Sequence, residues 1–135
     1  EHPNDPRLPK TAFLAAHAHL ELGDFDAARR TFLDLAREQP AFEEADRALF
    51  LAGYAALMLQ DNIGATEIFE RMRSLHPGSP LAEQALHWRA MAALFAKDHA
   101  LAIARFEEYL AAYPSGAFKA DALYRIAAAR YAMRQ

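Results

Sequence analysis

Cysteine is absent from this 135-residue sequence, and glycine is scarce, with 5 residues. Without cysteine the protein has no disulfide bond, no thiol nucleophile and no thiolate metal site. The net charge is only −3 and acidic and basic residues are interspersed, so no basic stripe is available to bind a phosphate backbone. No apolar run approaches the roughly 18 residues that span a bilayer. We therefore expect no nucleic-acid partner and no membrane insertion by this segment.

The residues that dominate the chain are strong helix formers. Hydrophobic residues make up 53% of the sequence, and alanine, leucine, glutamate and arginine are frequent whereas β-branched residues are rare. This composition is typical of a folded, helical protein and is unlike that of a disordered chain.

One spacing recurs along the whole chain. Four prolines stand 37 residues apart, at Pro3, Pro40, Pro77 and Pro114. Further rows keep the same spacing: Asp24, Asp61 and Asp98; Ala28, Ala65 and Ala102; Phe32, Phe69 and Phe106. Self-similarity at a period of roughly 20–50 residues indicates a stacked-repeat protein, which offers an extended binding surface and lacks a closed catalytic cleft.

Helix boundaries follow from the residues that repeat. The aspartates of the second row each precede a helix and are predicted N-caps, as are Asp5 and Ser79, each followed by proline. The four prolines end the helices before them. The predicted helices cover residues 7–22, 25–38, 43–59, 62–75, 80–96, 99–112 and 117–133. Turns of two or three residues make paired helices antiparallel, so the predicted fold is an all-α stack of helical hairpins.

The repeat resembles the tetratricopeptide repeat. The clearest match is Leu22-Gly23-Asp24-Phe25-Asp26-Ala27-Ala28, followed by Phe32 and Pro40, which is similar to that family's turn, small crossing residue, aromatic and terminal proline. The later copies depart at the turn, with Gln60-Asp61-Asn62 and Lys97-Asp98-His99. The resemblance covers essentially the whole chain and implies an α-solenoid of antiparallel helix pairs forming a right-handed superhelix.

The repeat boundaries imply about three repeats plus one extra helix within a single domain, residues 1–135. The repeats cover approximately residues 5–40, 41–77 and 78–114, and the terminal helix lies within 115–135. Because Pro3 occupies a closing position and the last helix has no second helix to cover it, we expect an excised part of a longer chain.

The 37-residue period and the tail that begins Tyr113-Pro114-Ser115-Gly116 resemble bacterial envelope members of this family. These are periplasmic proteins associated with the Tol–Pal system and outer-membrane-assembly lipoproteins. The resemblance implies a periplasmic or outer-membrane-associated protein, with a cytoplasmic location as the alternative.

The family's ligand-facing positions map onto the first helix of each pair. They imply a concave face that binds a protein partner through Phe13, His17, Phe50, Tyr54, His87, Met91, Tyr124 and Tyr131. Steps of three and four residues place the members of each helix on one side. Two interpretations stay open: the aromatic rows pack in the core, or they line a groove for a peptide or helix. Leu20, Leu57 and Leu94 fit the core better.

The chemistry of this face is apolar. The lysine, asparagine and arginine clamp with which some family members hold a partner's C-terminal carboxylate is missing, since the corresponding positions include Phe13, His17, Gln84 and Trp88. We therefore expect recognition by shape and apolar contact.

No catalytic, cofactor or metal site is predicted. His17 and His19 are two residues apart and point to different sides of their helix, and no His-x-x-x-His pair occurs. Glycine-rich phosphate loops and nucleophile elbows are also missing. The leading hypothesis is a non-enzymatic interaction scaffold. The alternative is a structural or self-associating segment, possible as a homo-oligomer, of a larger protein whose other domain carries the activity.

Overall fold

The computed structural model describes residues 7–134, and within that range it contains seven α-helices and no strand. The helices are α1 Arg7–Glu21, α2 Phe25–Glu38, α3 Ala45–Met58, α4 Asn62–Leu75, α5 Ala82–Phe95, α6 His99–Ala112 and α7 Lys119–Met133. Each lies within a few residues of its predicted bounds. The predictions for Pro3, Asp5 and Pro6 concern residues outside the described range.

Three of the predicted N-caps are confirmed, and they start the even-numbered helices. The side chain of each aspartate accepts a hydrogen bond from the backbone N–H three residues later, which satisfies a donor that the helix leaves unpaired. The bonds join Asp24 to Ala27 at 3.3 Å, Asp61 to Gly64 at 2.9 Å and Asp98 to Leu101 at 3.1 Å.

The prediction for Ser79 is wrong. The regular helix begins at Ala82, with Leu81 at the cap position and no side-chain cap there. The Ser79 hydroxyl instead accepts from the Leu81 N–H at 3.0 Å and donates to Asp46 of α3 at 2.5 Å. The residue fixes the turn before α5 against α3, which is a tertiary contact that local sequence does not reveal.

The turns within each helix pair share one backbone conformation. Gly23, Gln60 and Lys97 occupy the same place in the repeat and have φ angles of +80°, +63° and +61°. Glycine adopts this left-handed region readily, whereas glutamine and lysine are strained there. The turn geometry therefore persists in the two copies that have lost the glycine.

Packing joins each helix mainly to its neighbours in the chain, from α1 with α2 through to α6 with α7. Phe32, Phe69 and Phe106 are completely buried at equivalent places in the three second helices. Phe69 packs closely on Gly53 of α3. Burying each such ring stabilises the fold by roughly 1.5–3 kcal/mol relative to leaving it exposed. The arrangement is a helical repeat solenoid, as predicted.

Candidate functional site

The odd-numbered helices α1, α3, α5 and α7 form one side of the stack. The rings of Tyr54 in α3 and Trp88 in α5 meet edge to face, with centroids 6.3 Å apart. His87 of α5 likewise reaches Asp121 of α7, with a distance of 2.8 Å between Nε2 and Oδ2. We call this side the odd-helix face. It carries the eight side chains that were predicted to bind a partner.

Three of those eight side chains lie in the core. Phe13, His87 and Met91 are all at least nine-tenths buried. The Phe13 ring packs edge to face against Phe32 and Phe42, with centroids 5.5 and 6.2 Å away. These three residues therefore shape the face from beneath and offer a partner little surface of their own.

The other five retain accessible surface. His17, Phe50 and Tyr54 are half-buried, while Tyr124 and Tyr131 are 67% and 65% exposed. Leu57 is buried, and Leu20 and Leu94 are partly buried against the core, as expected for the leucine row. Within this set, the most exposed rings thus lie on α7, and α3 contributes two half-buried rings.

Two depressions lie between α3 and α5 on this face. One, of about 460 Å³, is lined by apolar side chains including Phe50, Leu51 and Leu81, with Arg47 and Gln84 among its polar residues. The other, of about 650 Å³, lies at the far end of the same helices beside Met58 and Phe95. Both volumes fall in the range of sites that hold side chains or small ligands.

His87 anchors α7 to α5. Its ring stacks on Phe118 at a centroid distance of 4.3 Å, and its Nε2 atom contacts Asp121, which also accepts from Arg125 Nε at 3.3 Å. Partial burial alone would raise the pKa of Asp121. The hydrogen bond from His87 and the charge of Arg125 outweigh that effect, and the pKa lies below its ordinary value.

Tyr109 fixes the loop before α7. Its buried hydroxyl accepts from the backbone N–H of Phe118 at 2.9 Å. Burial raises the pKa of Tyr109, and the nearby carboxylate of Glu83 acts in the same direction, whereas the Phe118 hydrogen bond lowers it. The phenol is therefore a neutral hydrogen-bonding group that holds Phe118 in place against His87.

The sequence analysis missed Arg89, a charged residue that is only 7% exposed. Its guanidinium bridges α4 and α6, pairing with Glu70 at 3.1 Å and with Glu108. The sequence does carry a sign that Arg89 is buried. Arg89 stands one period after Ala52 and one period before Ile126, and both of these apolar residues are buried. A charge at an otherwise apolar repeat position indicates a specific partner.

Histidines contribute no convergent site in the described part of the chain. His17 Nδ1 lies 3.3 Å from Glu21 Oε1, a contact between exposed or half-exposed side chains of one helix. Across residues 7–134, no three His, Asp or Glu side chains come together in a way that could hold a metal ion.

Within residues 7–134 no helix combines the length and apolar character needed to cross a membrane. A search of curated proteins finds no match to the chain. The family model of the YfiO outer membrane lipoproteins matches residues 43–135, which include helices α3 to α7. This confirms the resemblance to bacterial outer-membrane repeat proteins. Because the match covers well over half of the sequence, the chain belongs to the YfiO family of outer membrane lipoproteins.

Proposed function

We propose that this chain is a non-catalytic interaction scaffold of the bacterial envelope, which binds a helix or peptide of a partner protein on the odd-helix face. The observation that carries the proposal is the pair of depressions between α3 and α5, beside which Phe50, Met58 and Phe95 keep accessible apolar surface. Large exposed apolar side chains that share a surface typify interaction sites.

The character of the face favours an apolar anchor. Met58 and Phe95 are both exposed beside the second depression, and Phe50 lines the first. A helix that places apolar residues at i, i+3, i+4 and i+7 would fit such a surface. A few anchors at roughly 1.5–3 kcal/mol each would support micromolar affinity after the costs of association.

The test uses variants of the exposed anchors. Proteins captured from a bacterial envelope extract would be identified, purified and titrated against the scaffold by calorimetry. We expect Tyr124→Ala with Tyr131→Ala to weaken binding at least tenfold and to leave the circular dichroism spectrum unchanged. Leu75→Ala is the matched control, because Leu75 is similarly exposed but lies at the end of α4.

Phe50→Ala with Tyr124→Ala provides a second test. If that variant melts far below the wild type while binding its partner normally, Phe50 belongs to the core and the groove hypothesis fails. If the wild type and the two double variants all bind the partner with equal affinity, the odd-helix face is not the binding site.

A second candidate function is self-association through α7. Leu123 of α7 is half exposed. Tyr124, Tyr131 and Met133 extend this exposed apolar surface. Sedimentation equilibrium separates the two functions, because a dimer that dissociates in Tyr131→Ala supports self-association, whereas a monomer supports partner binding.

A periplasmic or outer-membrane-associated location is part of the proposal and rests on the family. Fractionation of cells that produce the full-length protein tests it. Recovery in the periplasmic or outer-membrane fraction supports the proposal, and recovery in the cytoplasm contradicts it.

A further inference from the structure

The first of the two depressions between α3 and α5, about 460 Å³ in volume, has a mixed lining. Phe50, Leu51 and Leu81 contribute apolar surface. Its charged residues are Glu44, Asp46 and Arg47. Two carboxylates and one guanidinium give the depression a net formal charge of −1, so it favours a cation over an anion.

The carboxylate of Asp46 is already occupied by the fold. Its Oδ1 atom accepts from the backbone N–H of Arg47 at 2.8 Å, and its Oδ2 atom accepts from the Ser79 hydroxyl at 2.5 Å. Because Ser79 lies in the turn before α5, these bonds hold that turn against α3. A ligand would have to compete with both of them to pair with Asp46.

The carboxylate of Glu44 is different, because within residues 7–134 it has no hydrogen bond and no ion pair. Its Oε2 atom is enclosed by the protein and lacks a partner, whereas Oε1 is not enclosed. A carboxylate that has lost part of its contact with water is destabilised unless a counter-charge compensates it. A cation placed in the depression can supply that compensation through Oε1.

The repeat register shows that this charge is an exception. Leu81 stands one period after Glu44, and Phe118 stands two periods after it, and both are half-buried. Arg89 is likewise a charge at an apolar repeat position, and its partners are Glu70 and Glu108 of the neighbouring helices. For Glu44 the described part of the chain provides no such partner, so the charge points to one outside the chain.

Arg47 does not take that role. It lies three residues after Glu44, its side chain is exposed, and its guanidinium forms no ion pair with any residue from 7 to 134. An exposed cation is well hydrated and gains little from a surface pair. Towards an incoming cation Arg47 acts as a like charge, which weakens the binding of that cation.

We propose that this depression receives an arginine side chain of the partner polypeptide, which pairs with Glu44. The inference rests on the proposed function, since it specifies the chemistry that the partner presents to the odd-helix face. The apolar stem of the arginine covers Leu51 and Leu81. A planar guanidinium can lie on the half-buried ring of Phe50 while its edge donates to a carboxylate oxygen, which a lysine ammonium cannot do equally well.

The test uses N-acetyl-arginine N′-methylamide, titrated into the whole chain while the methyl resonances of Leu51 and Leu81 are followed by NMR. The comparison compound is N-acetyl-citrulline N′-methylamide, which has nearly the same shape but no charge. We expect saturable shifts with a millimolar dissociation constant for the arginine compound. The citrulline compound should bind about fivefold more weakly, and this preference should shrink in about 0.5 M salt.

Glu44→Gln is the decisive variant, because it removes the charge and keeps the size of the side chain. Glu44 makes no side-chain cap bond to α3, so the melting temperature should match that of the wild type. The arginine and citrulline compounds should bind this variant equally. Glu43→Gln is the matched control, since Glu43 is an exposed glutamate outside the depression, and it should keep the preference for arginine. Arg47→Gln should bind the arginine compound about twofold more tightly through loss of the like charge.

Three results would overturn the inference: equal binding of the two compounds to the wild type, an undiminished preference for arginine in Glu44→Gln, or an equal loss of that preference in Glu43→Gln. None of them would refute the proposed function, which is tested separately by titrating the captured partner against the Phe50 and tyrosine variants. Loss of partner binding in those variants together with no preference for arginine would keep the odd-helix face as the binding site and exclude an arginine as its occupant.

Discussion

His87 and Asp121 link neighbouring odd helices through a 2.8 Å contact between Nε2 and Oδ2. His87 stands in the register of Phe50 and Tyr124, so the repeat places an aromatic ring there in other copies. The imidazole contacts Phe106 as Phe50 contacts Phe69, and it adds a stack on Phe118 and a polar bond to α7. One side chain therefore serves both the core and the attachment of the last helix.

The first prediction concerns the pH dependence of this link. The pKa of Asp121 is depressed in the folded state, so its stabilisation is present above its ordinary value of 3.8 and is lost as the pH falls through the lower folded value. At pH 5, Asp121→Asn should reduce the free energy of unfolding by about 0.5 kcal/mol, since the carboxylate is more than a third exposed. Urea denaturation at pH 5 and pH 2.5 should show that the difference in free energy of unfolding between the wild type and Asp121→Asn is smaller at pH 2.5.

The His87→Phe variant serves as the control for that experiment. It restores the ring type found at Phe50 and leaves Arg125 as the remaining partner of Asp121. In this background Asp121→Asn should cost less than in the wild type. An unchanged cost would show that His87 makes no contribution to the depressed pKa.

The second prediction concerns the left-handed turn residues. Gln60→Gly and Lys97→Gly should each stabilise the protein by about 1 kcal/mol, because glycine removes the strain of a positive φ angle. Gly23→Ala should destabilise the protein by a similar amount, because alanine is strained at a positive φ angle. A steric clash would not contribute, since no atom lies within 4 Å of an added Cβ at this position. Chemical denaturation of the three variants measures all of these changes, and a loss of stability in Gln60→Gly would contradict the argument.

The third prediction concerns the contact between Gly53 and Phe69. A Cβ at position 53 would lie 2.6 Å from Cε1 of the fully buried Phe69 ring. Gly53→Ala gains about 1 kcal/mol of helix propensity, but overpacking costs roughly 1–3 kcal/mol, so we expect net destabilisation of about 1 kcal/mol. In a Phe69→Leu background the same substitution should become stabilising. Thermal unfolding of the wild type, the two single variants and the double variant tests both the expected loss and the expected gain of stability.

The fourth prediction separates a helix cap from an interhelical ion pair. Asp61 caps α4 and also accepts from Arg29 of α2 at 2.9 Å. Asp98 caps α6, and within residues 7–134 it has no hydrogen bond or ion pair to a neighbouring helix. Asp98→Ala should cost about 1 kcal/mol as a lost cap. Asp61→Ala should cost roughly 0.2–1 kcal/mol more. If Arg29→Ala does not remove that excess in a double-mutant cycle, the ion pair is not its source.

Most of the fold was predictable because local chemistry marks both ends of each second helix. Asp24 and Pro40 bracket α2, and their equivalents bracket α4 and α6, so each boundary has a physical cause within a few residues of it. The starts of α3, α5 and α7 were each predicted two residues too early, because a turn closed by a backbone hydrogen bond over three residues precedes each regular helix. Such a turn and the first turn of a helix have similar sequence signals.

The candidate site was less predictable than the fold. Helical periodicity placed Phe13, Phe50 and Tyr124 on one face, but it could not distinguish a position covered by the next helix from an open one. Phe13 is covered because it packs on Phe32 and Phe42, whereas Tyr124 is 67% exposed, and such contacts between separate segments leave no periodic signal in the sequence. Arg89 was overlooked for a related reason, because its two carboxylate partners lie 19 residues away on either side.

The pairing of each helix with its immediate chain neighbours has a kinetic consequence. Nearly all stabilising contacts form between segments fewer than about 40 residues apart, and proteins with such short-range contacts fold quickly. Each hairpin can acquire structure as soon as its own residues are available and then serve as a template for the following one. Growth of the native state can therefore proceed stepwise along the polypeptide, without waiting for distant segments to meet.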